Sequence, residues 1–332
     1  MNSFTLADCS TVEAALSQLK NGAVVKAGGV DLLDRMKNGT DSPARLVNIR
    51  NIKELRGIQA TADGLTLGAL TTLAEVAADA TIRSQYTVLA DACGSAATPH
   101  IRNMATVGGN LLQELQCWYF RSADFQCLRK GKDTCFAFSG LNQYHAIMDY
   151  GGCPSVAPSS AAVAVLALDG SVELVSAKGK RTVALKDFYV RPDANPHKFN
   201  VMEEGELLTA IHIPRPAPGT KSAYQKYGEK ESHDWAIADA AIVLEMDGDT
   251  CKRAVVAMGA ASPVVRRSSE AEAALTGKLI TEETARTAGK AAMTNAMPLS
   301  MNAYKVQLFP VAVYRTVLLA AGKMERDPSA AG

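Results

Sequence analysis

Val12, Ala15, Leu16 and Leu19 recur at helical spacing directly after Ser10-Thr11-Val12-Glu13, a capping-box pattern, so the sequence predicts an amphipathic helix running to about Lys20. Val24 to Ala27 then reads as a short strand, Gly28-Gly29 as its tight exit, and Val30 to Lys37 as a helix closed by Asn38-Gly39. Leu46 to Ile49 is the next expected strand. Residues 1–58 are therefore expected to form a small α/β lobe with a crossover connection.

The period then shifts. Leu65 to Leu70 reads as a strand, Thr72-Leu73-Ala74-Glu75 as a second capping box, and Tyr86 to Ala97 as a helix broken by Thr98-Pro99. Ile101 to Leu112 carries a second glycine pair, Gly108-Gly109. From Cys117 to Cys153 no clean period survives, and a long excursion of that kind inside a compact domain is usually functional. Ala161 to Leu168 resumes helical character. Val172 to Val175 and Arg181 to Leu185 read as a hairpin about Lys178-Gly179-Lys180, and Leu207 to Ile213 as a strand. Pro214, Pro216, Pro218 and Gly219 make a stiff linker, the best boundary in the chain. Beyond it, Ala236 to Met246, an Asp247-Gly248 turn and Cys251 to Met258 suggest an antiparallel hairpin, and Ser269–Leu275, Glu282–Met293 and Phe309–Ala321 suggest helices. The expected class is α+β. It comprises lobes at 1–58 and 59–215, the second holding the excursion at 114–155, and a C-terminal domain at 222–325 with an antiparallel sheet.

Composition removes several function classes. Thirty-five Lys and Arg against 34 Asp and Glu leave a net charge of +1, which gives no reason to expect nucleic acid or an anionic membrane as partner. No apolar run approaches the roughly 20 residues of a membrane span. The opening MNSFTLADCS lacks export-signal character, so the cytoplasm is the expected compartment, with the periplasm reachable on a partner's signal. Seven cysteines in a long chain without a signal point to metal or free thiols rather than to a disulfide framework.

A diphosphate needs backbone N–H groups brought close to it, which residues without a Cβ allow, and a helix N-terminus favours its charge. Gly28-Gly29 has that context, and Thr106-Val107-Gly108-Gly109-Asn110 repeats it. The stretches Val25-Lys26-Ala27-Gly28-Gly29-Val30-Asp31-Leu32-Leu33, Leu67-Gly68-Ala69-Leu70-Thr71 and Ile101 to Leu111 resemble, in order and distance, the FAD-binding subunit of molybdenum hydroxylases. That family includes xanthine dehydrogenases, molybdenum-type carbon monoxide dehydrogenase and bacterial aldehyde oxidoreductases. The resemblance spans nearly the whole chain. It implies a two-lobed FAD-binding domain, with both glycine turns around the FAD diphosphate. The residues carried over are Lys26, Ala27, Gly28, Gly29, Val30, Asp31, Leu32 and Leu33 at the first turn, and Thr106, Gly108, Gly109 and Asn110 at the second. Val30 replaces the family's usual Thr. Arg102 is a candidate to offset phosphate charge. Tyr224 to Tyr227 and Glu229 to Ala236 are similar to the stretch bordering the family's flavin, which implies cofactor contacts for Lys226 and Trp235, although a core aromatic is an equal reading of Trp235. Where the family commonly has His-Pro-Ser-Asp, this chain has Ala157-Pro158-Ser159-Ser160, so contacts from that His and Asp are not expected.

Cys117, Cys127, Cys135 and Cys153 fall within 37 residues, at intervals of nine, seven and seventeen. Four thiolates suit a [4Fe–4S] cluster or a tetrahedral zinc ion, and the absence of a Cys-x-x-Cys knuckle argues against an ordinary zinc ribbon. Unligated thiols are the remaining alternative. The segment looks like the insertion that binds a [4Fe–4S] cluster in a minority of the family, including some aldehyde oxidoreductases and 4-hydroxybenzoyl-CoA reductase. His145 is expected to hydrogen-bond rather than ligate, and Cys9, Cys93 and Cys251 to act as small buried hydrophobes. The run Arg129-Lys130-Gly131-Lys132 reads as a solvated loop, with a subunit contact as the alternative.

No nucleophile–base pair or acid–base carboxylate pair stands out, so the chemistry is expected to be the cofactor's. The resemblance implies an oxidoreductase subunit that is inactive on the substrate alone. Electrons would come from two [2Fe–2S] clusters on a small partner subunit, after chemistry at the molybdenum cofactor of a large one. FAD would pass them to an acceptor such as ferredoxin. An aldehyde, a purine, another N-heterocycle or an aromatic thioester would be the substrate of the complex. The alternatives are a self-sufficient FAD-dependent oxidoreductase of the same fold and a non-catalytic, zinc-stabilised assembly subunit.

Overall fold

The computed structural model describes residues 1–230 and 234–326. Its chain builds three sheets, each with its own helices. The first is a parallel three-stranded sheet in the order Thr5–Asp8, Arg45–Asn48, Val24–Lys26. Leu46 and Val47 of its central strand are fully buried. Helix Val30–Lys37 starts and stops where the sequence places it, because Gly29 at its N-cap takes a left-handed φ of 79° and Asn38 and Gly39 close it. Two expectations shift here. The edge strand Thr5–Asp8 carries no apolar alternation and was not foreseen. The first helix, Val12–Gln18, is capped by Thr11 rather than Ser10, with Thr11 Oγ1 accepting from Ala14 N at 3.1 Å, and the Glu54 carboxylate accepts from the Val12 amide.

The second sheet is antiparallel, in the order Ile58–Ala60, Gly64–Gly68, Leu207–Pro214, Ser171–Ser176, Gly179–Ala184. The capping box at Thr72 forms as expected: Thr72 Oγ1 accepts from Glu75 N and the Glu75 carboxylate accepts from Thr72 N. Pro99 does not simply end a helix. It opens the short helix Pro99–Arg102, with Thr98 as N-cap. The hairpin turn falls two residues early, since Gly179 and Lys180 belong to the second strand.

The third sheet is antiparallel, with Arg266–Arg267, Thr250–Gly259, Ala238–Asp247 and Thr220–Tyr227 in that order and Lys278–Leu279 paired to the start of the long second strand. Strand Thr220–Tyr227 was not foreseen. Helices Ser269–Leu275, Glu282–Ala291 and Lys305–Ala321 cover one face. Helix Ser160–Ala167 is buried on every side, and its Val163 and Val165 join one core with Leu67 and Ile211 of the second sheet and Ala241 and Val255 of the third. The architecture is the expected mixture of helix and sheet. Among the described residues no helix is long and apolar enough to cross a membrane.

Residues 114–155 hold a 3-10 turn, Leu128–Lys130, and otherwise no helix or strand. Asn142 organises them. Its Nδ2 donates to Ala137 O, Gly140 O and Ser300 Oγ, and its Oδ1 accepts from Met301 N, which anchors the segment to the approach of the last helix. The basic run is a solvated loop only in its second half: Gly131 and Lys132 are exposed, but Arg129 is buried and Lys130 Nζ caps the carbonyls of Ser122 and Phe125.

Candidate cofactor site

A cavity of about 470 Å³ opens where the three sheets meet. That is within the range of a bound organic cofactor. Both glycine turns line it. The strand Val24–Lys26 delivers the first turn at its C-terminal end, and helix Val30–Lys37 points its N-terminus inward. Among the described residues no protein acceptor is found for the N–H groups of Gly28, Gly29, Val30, Asp31 or Leu32, so five successive donors and the positive end of the helix dipole are available to an anion. Absence of a Cβ is required at Gly28, where one would collide with the carbonyl of Met104.

The second turn is built differently. Its amides are already used: Val107 N donates to Thr71 O, Gly108 N to Ala69 O, Gly109 N to Thr106 Oγ1 and Asn110 N to Thr106 O. A Cβ at Gly108 would stand 2.9 Å from Ala69 O and Cβ. This turn supplies close approach and a smooth wall rather than free donors. Asn110 Oδ1 accepts from Ser159 Oγ and Ala161 N, fixing the side chain, and Gln113 Nε2 is buried at the cavity wall with no partner among the described residues.

Of the residues singled out in the sequence, Lys26, Ala27, Gly28, Gly29, Val30, Asp31, Leu32, Thr106, Gly108, Gly109, Asn110, Lys226 and Trp235 all line this cavity. Two do not. Leu33 turns back over Gly29, and Arg102 is buried with its Nη1 on the carbonyls of Ala96 and Ala97, so it caps the preceding loop. Trp235 is not a core aromatic; it is 53% exposed at the rim. Lys226 Nζ is held by Ser95 O and Asp234 O, and burial lowers its pKa. Glu231, Ser232 and His233 of the same motif lie outside the described residues. Pro158, which keeps the Pro of the resembling pattern, and Ser160, which stands where that pattern has Asp, both line the wall.

Sequence reasoning missed an ion network beneath the first turn. Asp31 pairs with Arg35 at 3.1 Å and with Arg121 at 2.7 Å, and Arg35 also reaches Asp41 and Glu114. Asp31–Arg35 at i,i+4 was visible as a helix pair, but its continuation to residues 114 and 121 was not. Burial pushes the Glu114 carboxyl up to about 7 despite Arg35 beside it.

Cys117, Cys127, Cys135 and Cys153 line a second, narrow cavity with Tyr119, Phe120, Arg129 and Phe136. It has room for about one water. Burial pushes the Cys117 thiol up to about 12 and that of Cys135 to about 11. His145 Nε2 stands 3.2 Å from Cys117 Sγ, and Cys153 Sγ stands 3.2 Å from Ser155 Oγ. Among the described residues no group of three His, Cys, Asp or Glu side chains is arranged to hold a single metal ion. Cys9, Cys93 and Cys251 are buried away from this cavity.

The fold and the glycine-lined cavity define a flavoprotein subunit, and sequence comparison agrees: the FAD binding domain in molybdopterin dehydrogenase matches residues 2–216, and the CO dehydrogenase flavoprotein C-terminal domain matches residues 222–320. The chain belongs to the family of FAD-binding medium subunits of molybdenum hydroxylases, and as such is an oxidoreductase subunit. It is 36% identical to the aldehyde oxidoreductase FAD-binding subunit PaoB of Escherichia coli, over 75% of this chain and 79% of that one. It is 27% identical to the carbon monoxide dehydrogenase medium chain of Hydrogenophaga pseudoflava, over 86% and 83% respectively. A solved structure of carbon monoxide dehydrogenase from Hydrogenophaga pseudoflava superimposes with a TM-score of 0.76 at 26% identity, covering 98% of this chain and 99% of that one.

Proposed function

We propose that this chain is the electron-transfer subunit of a heteromeric molybdenum hydroxylase, binding FAD in the glycine-lined cavity and a [4Fe–4S] cluster among its four clustered cysteines. The observation that carries the FAD placement is the row of unpartnered amides from Gly28 to Leu32 in a cavity that Gly108, packed closely on Ala69, also lines. Those amides would hold the diphosphate, Lys26, Thr106 and Asn110 would flank it, and Lys226 and Trp235 would border the flavin ring. Bound FAD supplies two-electron chemistry with onward transfer to an acceptor.

The donor set supports the cluster. The four cysteines line one narrow cavity, and four thiolates suit a cluster, while the sequence spacing lacks the Cys-x-x-Cys knuckle of an ordinary zinc ribbon. Cys117, Cys127, Cys135 and Cys153 would be its ligands, and the cluster supplies one-electron transfer. The names of the relatives, an FAD-binding subunit and a medium chain, support partners for this chain as well. These are a large subunit with the molybdenum cofactor and a small [2Fe–2S] subunit, with ferredoxin or another carrier as acceptor. The lobes at 1–58 and 59–215 and the C-terminal domain at 222–325 belong to the same proposal, as does function in the cytoplasm or, on a partner's signal, the periplasm.

An anaerobic absorption spectrum with flavin, iron, sulfide and zinc quantified on the same sample tests both placements. About one FAD and about four iron per chain are expected. Flavin without iron overturns the cluster, and zinc without colour overturns both.

A further inference from the structure

The geometry points to His145 and Arg129 as the two buried donors that set the reduction potential of the four-cysteine centre, an inference that rests on the cluster reading above. His145 is held from both sides. Its amide donates to Asn142 O at 3.0 Å, and its carbonyl accepts from Asn302 Nδ2 and Lys305 Nζ, each at 3.1 Å. Its ring lies 5.7 Å from that of Trp118, edge-on. With the backbone fixed, Nε2 falls 3.2 Å from Cys117 Sγ, while Nδ1 is buried with no partner among the described residues. The sulfur is thus the ring's one hydrogen-bond partner among them. A ligating thiolate has no proton to give, so the bond can only run from Nε2–H to sulfur, and the tautomer that makes it avoids burying an N–H without an acceptor.

Arg129 lines the four-cysteine cavity itself. It is 7% exposed, lies 5.0 Å over the Phe199 ring, and gives Nη1 to the carbonyls of Pro196 and Lys198 at 3.1 Å. Its Nε has no acceptor, and no carboxylate pairs with it, among the described residues. A buried guanidinium without a counter-charge is costly, and four thiolates on an iron–sulfur core supply that charge. Adding one electron makes the centre more negative, so both donors favour the reduced form and raise its potential. They are positioning residues, acting through the sulfurs.

The test is a potentiometric titration of the intact complex with its partners, following the reduced cluster by electron paramagnetic resonance, with the flavin potential as internal reference. His145→Leu and Arg129→Met should each disfavour reduction about tenfold, a fall of about 59 mV for a one-electron couple. His145→Gln, which keeps an N–H donor, should stay near the wild type, and the flavin potential should not move. Full iron with an unchanged cluster potential in both deletions overturns the inference while leaving the cluster intact. If a deletion fails to load iron, the wild type decides: its iron–thiolate stretches by resonance Raman should shift in D2O, and an unshifted spectrum overturns the inference. A wild-type complex with flavin and no iron overturns the cluster reading itself, and the inference with it.

Discussion

Arg121 Nη2 lies 2.7 Å from Asp31 Oδ1, joining two residues ninety positions apart and fastening the cysteine segment to the helix that begins at the first glycine turn. The same Asp31 accepts from Glu114 N and Arg35 Nε, so the carboxylate is saturated while its own amide stays free for an anion. Arg121→Gln should therefore loosen both sites at once. With both partners mostly buried, a loss of about 2 kcal/mol is expected, together with weaker flavin retention. Urea unfolding and a flavin-release titration on the same variant check this, and a stability loss with unchanged flavin affinity would confine the network to bracing.

Close approach at the two glycine turns makes a sharper forecast. Gly28→Ala drives a methyl into the Met104 carbonyl and Gly108→Ala into Ala69, contacts with backbone that no rotamer change relieves. Each should cost about 1–3 kcal/mol and leave the purified protein depleted of flavin. Gly94→Ala is the control, since its Cβ would meet Ala77 at an ordinary 3.6 Å inside a helix. That variant should keep full flavin and gain slightly in stability. The ratio of flavin absorbance to protein absorbance decides the matter in one spectrum per variant.

What the sequence disclosed follows how locally each feature is encoded. Helix Val30–Lys37 was legible because Gly29 and Asn38-Gly39 mark its two ends, and the turn at Thr72 because its capping box closes within four residues. Strand Thr220–Tyr227 was missed because Thr, Lys, Ser and Gln interrupt its apolar face; it is specified by pairing with Ala238–Glu245 across the sheet. At the candidate site the glycines and cysteines were visible as residue types. The reach of Arg35 to Glu114 and of Asp31 to Arg121 was not, since a charge network closed across the fold leaves no period to read. Arg102 misled because a basic residue beside a phosphate-shaped turn looks alike whether it faces the cavity or caps Ala96 and Ala97.

Glu114 should leave a mark on pH dependence. Burial raises its pKa to about 7 from an ordinary value of 4.5, so between those values the folded state binds more proton than the unfolded. Its contribution to stability is fully present below about pH 4.5 and declines as pH rises through about 7. Glu114→Gln should flatten that part of the profile. Unfolding midpoints of the two proteins, taken across pH 4.5–7.5, should converge at the acid end if the sign is right.

Lys305 is fully buried, with Nζ on the carbonyls of Tyr144, His145 and Ala260. It pins the cysteine segment and the third sheet to the last helix through one side chain. Lys305→Met fills the volume but strands the carbonyls of Tyr144 and Ala260, leaving that of His145 to Asn302 alone, and should cost about 3 kcal/mol. Hydrogen exchange localises the effect: faster exchange should appear at residues 142–148, with the amides of the first glycine turn unchanged.

Cys127→Ser tests whether the proposed cluster carries electrons or only braces its segment. Cys127 is buried and lines the four-sulfur cavity, so losing its thiolate should drop iron from about four per chain to below one. FAD should be retained, because no glycine-turn contact passes through it. Cys93→Ser, at a thiol buried in the helix Thr87–Gly94, should leave iron untouched and so controls for general damage. Normalised to bound FAD, the rate at which the complex reduces a two-electron dye should survive in Cys127→Ser. If reduction of a one-electron carrier also survives, the cluster braces the segment and the loss will be one of thermal stability. If carrier reduction alone collapses, electrons leave through the four cysteines.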